Sequence, residues 1–140
     1  MKRSAGILLP IFSLPSEYGI GSLGAEARAF ANFLQDAGQS WWQILPVGPA
    51  GAGDSPYASE STFAGNPLFI DLDLLAKDGL LTEEELASVR VPAGSAIDYG
   101  ALKQNREPLL RAAFSRVSGE AAEAARAFAE SRPWVREYAL

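Results

Sequence analysis

The amino-acid sequence predicts an α/β fold in which parallel strands form a sheet or a barrel. Residues 6–12 and 41–47 are short, nearly continuous apolar runs, which suit strands that are buried on both faces. Residues 25–37, between them, carry apolar side chains at helical spacing. A strand, a helix and a second strand in this order make a βαβ unit, whose crossover we expect to be right-handed.

The composition limits which ligands and which kinds of chemistry the chain can support. The chain has 140 residues, of which 48% are hydrophobic, and this is enough for one small domain. Its 12 basic and 17 acidic residues give a formal net charge of −5, and the basic residues are scattered, so we expect no nucleic-acid partner. There is no cysteine and no histidine, so thiol chemistry and the commonest metal ligand are excluded. We expect no metal and no cofactor.

The first apolar run follows a basic start, MKR, and extends over residues 5–14. This order is also typical of a secretory signal, but Pro10 interrupts the run and no small-x-small cleavage pattern follows it. We therefore favour a strand over residues 6–12, with Pro10 at a strand end or a sheet edge. No apolar run approaches the roughly 20 residues that cross a bilayer. We expect a cytoplasmic protein without a membrane partner.

The loop before the first helix contains a glycine pattern with two interpretations. Gly19, Gly21 and Gly24 spell G-x-G-x-x-G, which in the right context indicates a nucleotide-binding oxidoreductase. Here residues 15–18 separate the glycines from the strand, and the second strand lacks the acidic residue that would bind ribose. The structural alternative is that these glycines allow positive φ angles and close approach to a neighbouring segment.

The helix over residues 25–37 has recognisable ends. Glu26 in its first turn complements the helix dipole, and Gly38 stands where a glycine commonly ends a helix. The apolar positions recur at helical spacing and predict one buried face: Ala27, Phe30, Ala31, Leu34 and Ala37.

A long irregular loop follows the second strand, because prolines and glycines recur from Pro46 to Gly53. Polar, aromatic loops at the carboxyl ends of buried strands are where α/β folds bind ligands. The loop concentrates hydrogen-bonding groups around one aromatic ring: Asp54, Ser55, Tyr57, Ser59, Glu60, Ser61 and Asn66.

Each candidate in this region also has a structural interpretation. Tyr57 could pack its ring on the loop, and Ser55 could only stabilise a turn. Asn66 is typical of a turn. Trp41 and Trp42 point to opposite faces of a strand, so we expect one to pack against a helix and the other inside the sheet or barrel.

The second half of the chain is predicted to be mainly helical. Residues 66–72 are short and apolar and suggest one more extended segment, followed by a helix over residues 73–77. Thr82 and Glu85 have the spacing of a capping box, which predicts a helix start.

Three further helices are predicted beyond residue 100. Residues 101–117 form the first, which Pro108 should kink or restart, and residues 119–131 form the second. Pro133 opens the last. Apolar periodicity is still running at Leu140, and two parallel strands leave a sheet with uncovered faces, so we expect a chain truncated at its C-terminus.

Five motifs in order carry a family resemblance: GILLPIFSLP, YGIGSLG, WQILPVGP, GDSPY and FAGNPLFIDL. They resemble the beginning of 4-α-glucanotransferases of the amylomaltase or disproportionating-enzyme type, glycoside hydrolase family 77. The resemblance implies the N-terminal part of a (β/α)8 TIM barrel of the α-amylase type with helical insertions. Residues 1–72 would hold the first two β/α units with the substrate-side loop, and residues 73–140 a helical subdomain.

The resemblance also implies an activity. Such an enzyme cleaves an α-1,4-glucan, holds the donor as a covalent glycosyl-enzyme, and transfers it to a new 4-hydroxyl with retained configuration. The implied partner is a maltodextrin, and the remainder of the barrel would be required. An α-amylase-like glucan hydrolase and a non-catalytic glucan-binding fragment are the alternatives within the same substrate class.

By similarity to this family, Ser55 and Tyr57 would contact glucose units near the cleavage point, by a hydrogen bond and a ring contact respectively. Some relatives bind glucan at a second site through two tyrosines, one of which corresponds to Tyr99. The other corresponds to Ala52, which has no ring. Tyr99 is therefore the one candidate for such a site.

No catalytic residue is expected in this chain. Retaining glycosyl transfer uses a nucleophile and an acid/base about 5 Å apart, and in this family they come from later barrel strands. Asp54 precedes a Ser-Pro turn and should bond its own backbone. Asp71 and Asp73 suit cap or turn roles, and Glu60 is also expected to be structural. The 140 residues alone should be inactive.

Overall fold

A computed structural model describes residues 3–92, 94 and 96–139. The predicted βαβ unit is present. Strand β1, Gly6–Leu8, pairs in parallel with strand β2, Trp41–Gln43, and Gly6 lies opposite Trp41 in the register. Helix α1, Ala25–Asp36, connects the two strands.

Helix α1 ends as its sequence predicts. Gly38 adopts a φ of 67°, which an L side chain rarely adopts, and its N–H donates to the carbonyl of Gln35 at 3.0 Å. Ala27 and Leu34 are buried on one face. Phe30 is partly buried and packs edge-on against Trp42, with ring centroids 4.9 Å apart.

Both strands are shorter than the sequence predicts. Strand β1 ends at Leu8 because Pro10 has no N–H for the ladder, and a 3-10 turn over Ile11–Ser13 follows. The prediction of strands buried on both faces is also wrong within the described residues. All three residues of β1 are exposed, and Trp41 is 68% exposed, so neither face of this two-stranded sheet is fully covered within the described residues.

Five helices follow α1 in the described part of the chain: α2 (Leu72–Lys77), α3 (Glu83–Ser88), α4 (Tyr99–Arg116), α5 (Gly119–Ser131) and α6 (Pro133–Tyr138). The capping box at Thr82 and Glu85 is confirmed, with the Thr82 N–H donating to Glu85 at 2.8 Å and the Glu85 N–H to Thr82 at 3.2 Å. Helix α4 continues through Pro108, so the predicted restart is wrong. Leu140, where the apolar periodicity was still running, lies outside the described residues.

The predicted extended segment over residues 66–72 is also wrong. Pro67–Phe69 forms a 3-10 turn, because the Asn66 side chain accepts the N–H of Leu68 at 3.0 Å. Asp71 then caps α2 by accepting the N–H of Leu74 at 2.9 Å. The turn and cap roles predicted for Asn66 and Asp71 are thus confirmed.

Two buried clusters form the core. The first joins the β1–α1 loop and α1 to the turn after residue 66 and to α4: Ile11, Leu14, Ile20, Ala27, Leu68, Phe69 and Leu102. The second joins the same loop to α2, the α2–α3 connection, α3 and α4: Tyr18, Leu72, Leu81, Leu86, Leu109 and Ala113. The β1–α1 loop is therefore the segment around which the helices pack. No helix within the described ranges is long and apolar enough to span a membrane.

Candidate functional site

The loop over residues 48–66 leaves the carboxyl end of the β2 segment and is closed at its base. The N–H of Asn66 donates to the carbonyl of Val47 at 2.8 Å. Gly48 lies against the Ser59 hydroxyl, which donates to the carbonyl of Ser61 at 2.9 Å. These bonds give the segment a defined shape, although its one regular element within residues 48–66 is a short 3-10 turn over Ala52–Asp54.

Ser55 and Tyr57 lie together near the tip of this loop. The Ser55 hydroxyl accepts the N–H of Tyr57 at 3.3 Å, which is the turn bond that one interpretation of the sequence expected. The ring of Tyr57 is 73% exposed. A flat, exposed ring next to a hydroxyl can contact the apolar face of a sugar and its hydroxyls at once. Their role in glucan binding stays a prediction.

Asp54 makes a different contact from the predicted one. Its carboxylate accepts from Lys103 Nζ on α4 at 2.6 Å, where the sequence suggested a bond to its own backbone. The residue adopts a φ of 56°, in the left-handed region that few non-glycine residues occupy. The ion pair therefore connects the loop to a helix at the residue that immediately precedes Ser55.

Tyr99 is the first residue of α4 and is partly buried against the first core cluster. Burial raises the pKa of its phenol, and the nearby negative charge of Asp54 raises it further. Asp54 belongs to the 3-10 turn Ala52–Asp54, in which Ala52 is exposed. Tyr99 therefore lies near the turn that precedes Ser55. Because residue 52 in that turn is alanine, the turn offers no second ring that could form an aromatic pair with Tyr99.

An aromatic cluster that the sequence analysis missed packs beside the loop. Phe63 of the loop stacks on Trp134 of α6, with ring centroids 5.8 Å apart and planes at 27°. The ring of Trp134 also lies beside those of Phe128 and Tyr138, with centroid distances of 6.4 Å and 6.5 Å respectively. The periodicity of α6 marked Trp134 as apolar, but no local pattern indicates a partner 71 residues away.

A cleft of about 690 Å³ lies where the base of the loop meets the helices. Pro49 and Ala50 line it on the loop side, and Lys103, Arg106 and Phe114 line it on the α4 side. The loop and α4 thus share one surface.

The remaining carboxylates that were considered for catalysis make structural contacts. Asp71 caps α2, and Asp73 accepts a hydrogen bond from the hydroxyl of Tyr18. Glu60 is exposed on the loop. Within residues 3–92, 94 and 96–139, no three Asp, Glu, His or Cys side chains are grouped as metal ligands.

The nucleotide interpretation of the glycine pattern is contradicted by the geometry. A Cβ on Gly24 would overlap the Asp71 carboxylate, which therefore fills the space at the start of α1 where a pyrophosphate would bind. Gly19 has a φ of 78°, and a Cβ on Gly21 would overlap the carbonyl of Ile11. The structural alternative for the three glycines is confirmed.

Comparison with known proteins shows the family of the chain. The family model described as 4-alpha-glucanotransferase matches residues 9–140, and the chain belongs to that family, glycoside hydrolase family 77. The chain is 46% identical to the 4-alpha-glucanotransferase of Thermus thermophilus over 145 residues, which cover 100% of this chain and 28% of the relative. It is 43% identical to the Aquifex aeolicus enzyme, with coverage of 99% and 28%.

A solved structure matches the fold. The amylomaltase from Streptococcus agalactiae, in complex with acarbose, superposes with a TM-score of 0.91 at 36% sequence identity. The match covers 98% of this chain and 28% of that one. The chain thus spans a little over a quarter of the length of these relatives.

Proposed function

We propose that these 140 residues act as the amino-terminal part of a 4-α-glucanotransferase that transfers segments of α-1,4-glucans to a new 4-hydroxyl of glucose or of another glucan. The observation that carries the proposal is the family match over residues 9–140. The superposition on an amylomaltase over nearly the whole chain supports it.

The proposed fold of the complete protein is a (β/α)8 barrel, of which β1, α1 and β2 form the opening. The exposed apolar side chains of the two-stranded sheet support this proposal, since Ile7, Leu8 and Trp41 need a covering layer. Further strands would pair with the open edges of β1 and β2, and residues 73–140 would form a helical subdomain beside them.

The chemistry would be performed by carboxylates in the remainder of the barrel. A carboxylate attacks the anomeric carbon and forms a covalent glycosyl-enzyme while a carboxylic acid protonates the departing 4-oxygen. The acceptor's 4-hydroxyl then gives its proton back to that second group and attacks the anomeric carbon, which releases the nucleophile with retained configuration. These 140 residues would supply binding groups, and residues elsewhere in the barrel would carry out the bond chemistry.

The proposed binding groups are Ser55, Tyr57 and Tyr99. The loop that carries Ser55 and Tyr57 leaves the carboxyl end of β2, which is the side where barrel enzymes bind substrate. The exposed ring of Tyr57 supports a sugar contact. Tyr99 would contribute a weaker contact at a second place, since Ala52 cannot supply a ring to pair with it.

The full-length protein and maltotriose test this proposal. Transfer should yield glucose together with maltodextrins longer than maltotriose, whereas net hydrolysis alone would indicate an α-amylase-like hydrolase. If the enzyme forms neither transfer products nor hydrolysis products, both the transferase and the hydrolase interpretations are overturned. A cytoplasmic location also stays a prediction, which cell fractionation would test.

The proposed binding residues need their own variants. Tyr57→Ala should raise KM for maltotriose about tenfold, because an exposed aromatic contact with a sugar is lost. Tyr57→Phe keeps the ring and is the matched control, and Ser55→Ala tests the hydroxyl. An unchanged KM in Tyr57→Ala would remove this residue from the site and leave the activity itself unaffected.

A further inference from the structure

The loop that carries Tyr57 is held from outside at two points, one before and one after this residue in sequence. On one side, Lys103 of α4 donates to the Asp54 carboxylate at 2.6 Å. On the other side, Trp134 of α6 stacks on Phe63 at 5.8 Å. Both contacts join the loop to the helices in the second half of the chain.

The first contact acts on a residue in an unusual conformation. Asp54 has a φ of 56°, and a non-glycine residue in this region persists only where its surroundings hold it there. Its N–H donates to the carbonyl of Gly51 at 3.0 Å, and its carboxylate is held by Lys103. Because Ser55 follows directly, the direction of the chain at Ser55 depends on this conformation.

The second contact belongs to a wider aromatic cluster. Trp134 packs edge-on against Phe128 of α5 and beside Tyr138 of its own helix. The Arg132 guanidinium lies 5.5 Å from the centre of the Phe128 ring. Phe63 is itself 70% exposed, so its stack with Trp134 is its main aromatic contact in the described chain.

We propose that Lys103 and Trp134 are positioning residues of the glucan site, which act through Asp54 and Phe63 to hold the loop in its binding conformation. The inference rests on the proposed function, because it assumes that Tyr57 contacts substrate.

The effect should appear in binding. A loop that samples several conformations is competent to bind for only a fraction of the time, and the apparent affinity falls by that fraction. The catalytic carboxylates would belong to other parts of the barrel, so the rate of the chemical step should change little. Loss of either contact should therefore raise KM and leave kcat nearly constant.

The experiment uses full-length enzyme and maltotriose, with Lys103→Met and Phe63→Leu as the main variants. We expect Lys103→Met to raise KM about two- to fivefold, since exposed ion pairs are of that strength. Phe63→Leu removes the aromatic stack by changing Phe63, which is the more exposed of the two rings. This variant should raise KM by a similar or larger factor, about two- to tenfold. Trp134→Leu should match Phe63→Leu, and combining the two should add little.

Matched controls separate positioning from a general loss of stability. Lys103→Arg keeps the charge and should retain wild-type KM, and Lys77→Met removes a surface charge from the last turn of α2 without touching the loop. The KM of the wild-type enzyme should also rise with salt, whereas that of Lys103→Met should be insensitive, because salt screens an exposed ion pair. Tm measured for every variant checks the fold.

The outcomes are distinguishable. A wild-type enzyme without transfer activity overturns the proposed function itself. An active enzyme whose KM is unchanged in both Lys103→Met and Phe63→Leu overturns the positioning role. A fall in kcat together with a fall in Tm also overturns it, because a general structural role predicts that pattern. In a background that carries both Ser55→Ala and Tyr57→Ala, Lys103→Met should have no further effect on KM, and an additive effect would contradict the inference.

Discussion

The carboxylate of Asp71 accepts a hydrogen bond from the hydroxyl of Ser22 at 2.5 Å. Its other oxygen accepts the N–H of Leu74 at 2.9 Å and caps α2. Gly24, at the start of α1, lies directly against the same carboxylate. One side chain therefore joins the amino-terminal ends of two helices, and the absence of a Cβ at Gly24 permits it.

Gly24→Ala should destabilise the full-length protein. The added methyl group would overlap the Asp71 carboxylate, so this side chain must shift away from its hydrogen bond to Ser22. We expect a loss of about 1–3 kcal/mol in the free energy of unfolding, measured with urea. Gly65→Ala is the matched control, because a Cβ there would meet nothing within 4 Å. Equal stability of the two variants would contradict the packing described here.

The pair formed by Glu85 and Arg116 predicts an acid dependence. Arg116 donates to both Glu85 oxygens at 2.8 Å, and this bond, helped by the Thr82 N–H, lowers the pKa of Glu85 from 4.5 to about 2. A folded-state pKa below the unfolded-state value means that the stabilisation is complete above about pH 4.5 and disappears as the pH falls to about 2.

Glu85→Gln should therefore have a lower Tm than the wild type at pH 7, and the difference should close between pH 4.5 and pH 2. Glu84→Gln, at an exposed position in the same turn, should show no such convergence. A Tm difference that stays constant with pH would show that the ion pair is not its source.

Tyr18 predicts a second pH dependence, at the alkaline end. Burial, together with the hydrogen bond to Asp73, raises the pKa of this tyrosine to about 12, although Arg90 opposes the shift. Because the folded-state pKa lies above the unfolded-state value of 10, the contribution of neutral Tyr18 is complete below about pH 10 and is lost as the pH rises through 12.

We expect Tyr18→Phe to cost about 1 kcal/mol in urea unfolding at pH 8, through the lost hydrogen bond to Asp73. This cost should shrink above pH 10. The phenolate absorbance that appears at the highest pH in an ultraviolet titration should be missing from Tyr18→Phe and present in Tyr57→Phe. A Tyr18 phenol that ionises near its ordinary pKa of 10 would contradict the burial and the bond.

Arg106 is a buried charge with one hydrogen-bond partner in the described chain, and its guanidinium also lies 6.0 Å from the centre of the Tyr18 ring. It is 2% exposed, and its Nη1 donates to the carbonyl of Ile70 at 2.9 Å. Its Nε and Nη2 have no hydrogen-bond partner within the described residues. Burial lowers the pKa of the guanidinium, and the charge of Asp71 opposes this. The arginine is thus held largely by packing.

Arg106→Ala should lower the free energy of unfolding by about 2–4 kcal/mol, because it leaves a cavity and removes the partner of the Ile70 carbonyl. Arg106→Met should cost clearly less, since methionine refills the volume and removes a buried charge. Urea unfolding of both variants makes the comparison. If the methionine variant is as unstable as the alanine variant, the charge itself is required.

Local patterns predicted most of the helices because their signals lie within one or two turns. The Thr82 and Glu85 capping box, Gly38 at the end of α1 and Pro133 at the start of α6 all appear where expected. The extended segment after Asn66 was wrong because a single side chain bond to Leu68 closes a 3-10 turn, which apolar content does not reveal.

The candidate site was predicted only in part. Proline, glycine and polar residues indicated the loop, and family resemblance indicated Ser55, Tyr57 and Tyr99. The supports of the loop were missed, because Lys103 is 49 residues from Asp54 and Trp134 is 71 residues from Phe63. Composition and periodicity carry no information about which distant side chains meet.

By itself, the amino-acid sequence determined the βαβ order, the positions of the helices and the family, since periodicity, capping and ordered motifs are all properties of neighbouring residues. Only the tertiary structure decided that Asp71 occupies the space beside Gly24 and that two helices hold the loop of Tyr57. The physical reason is that these contacts depend on how separate elements pack, and packing brings together charges and rings that are far apart along the chain.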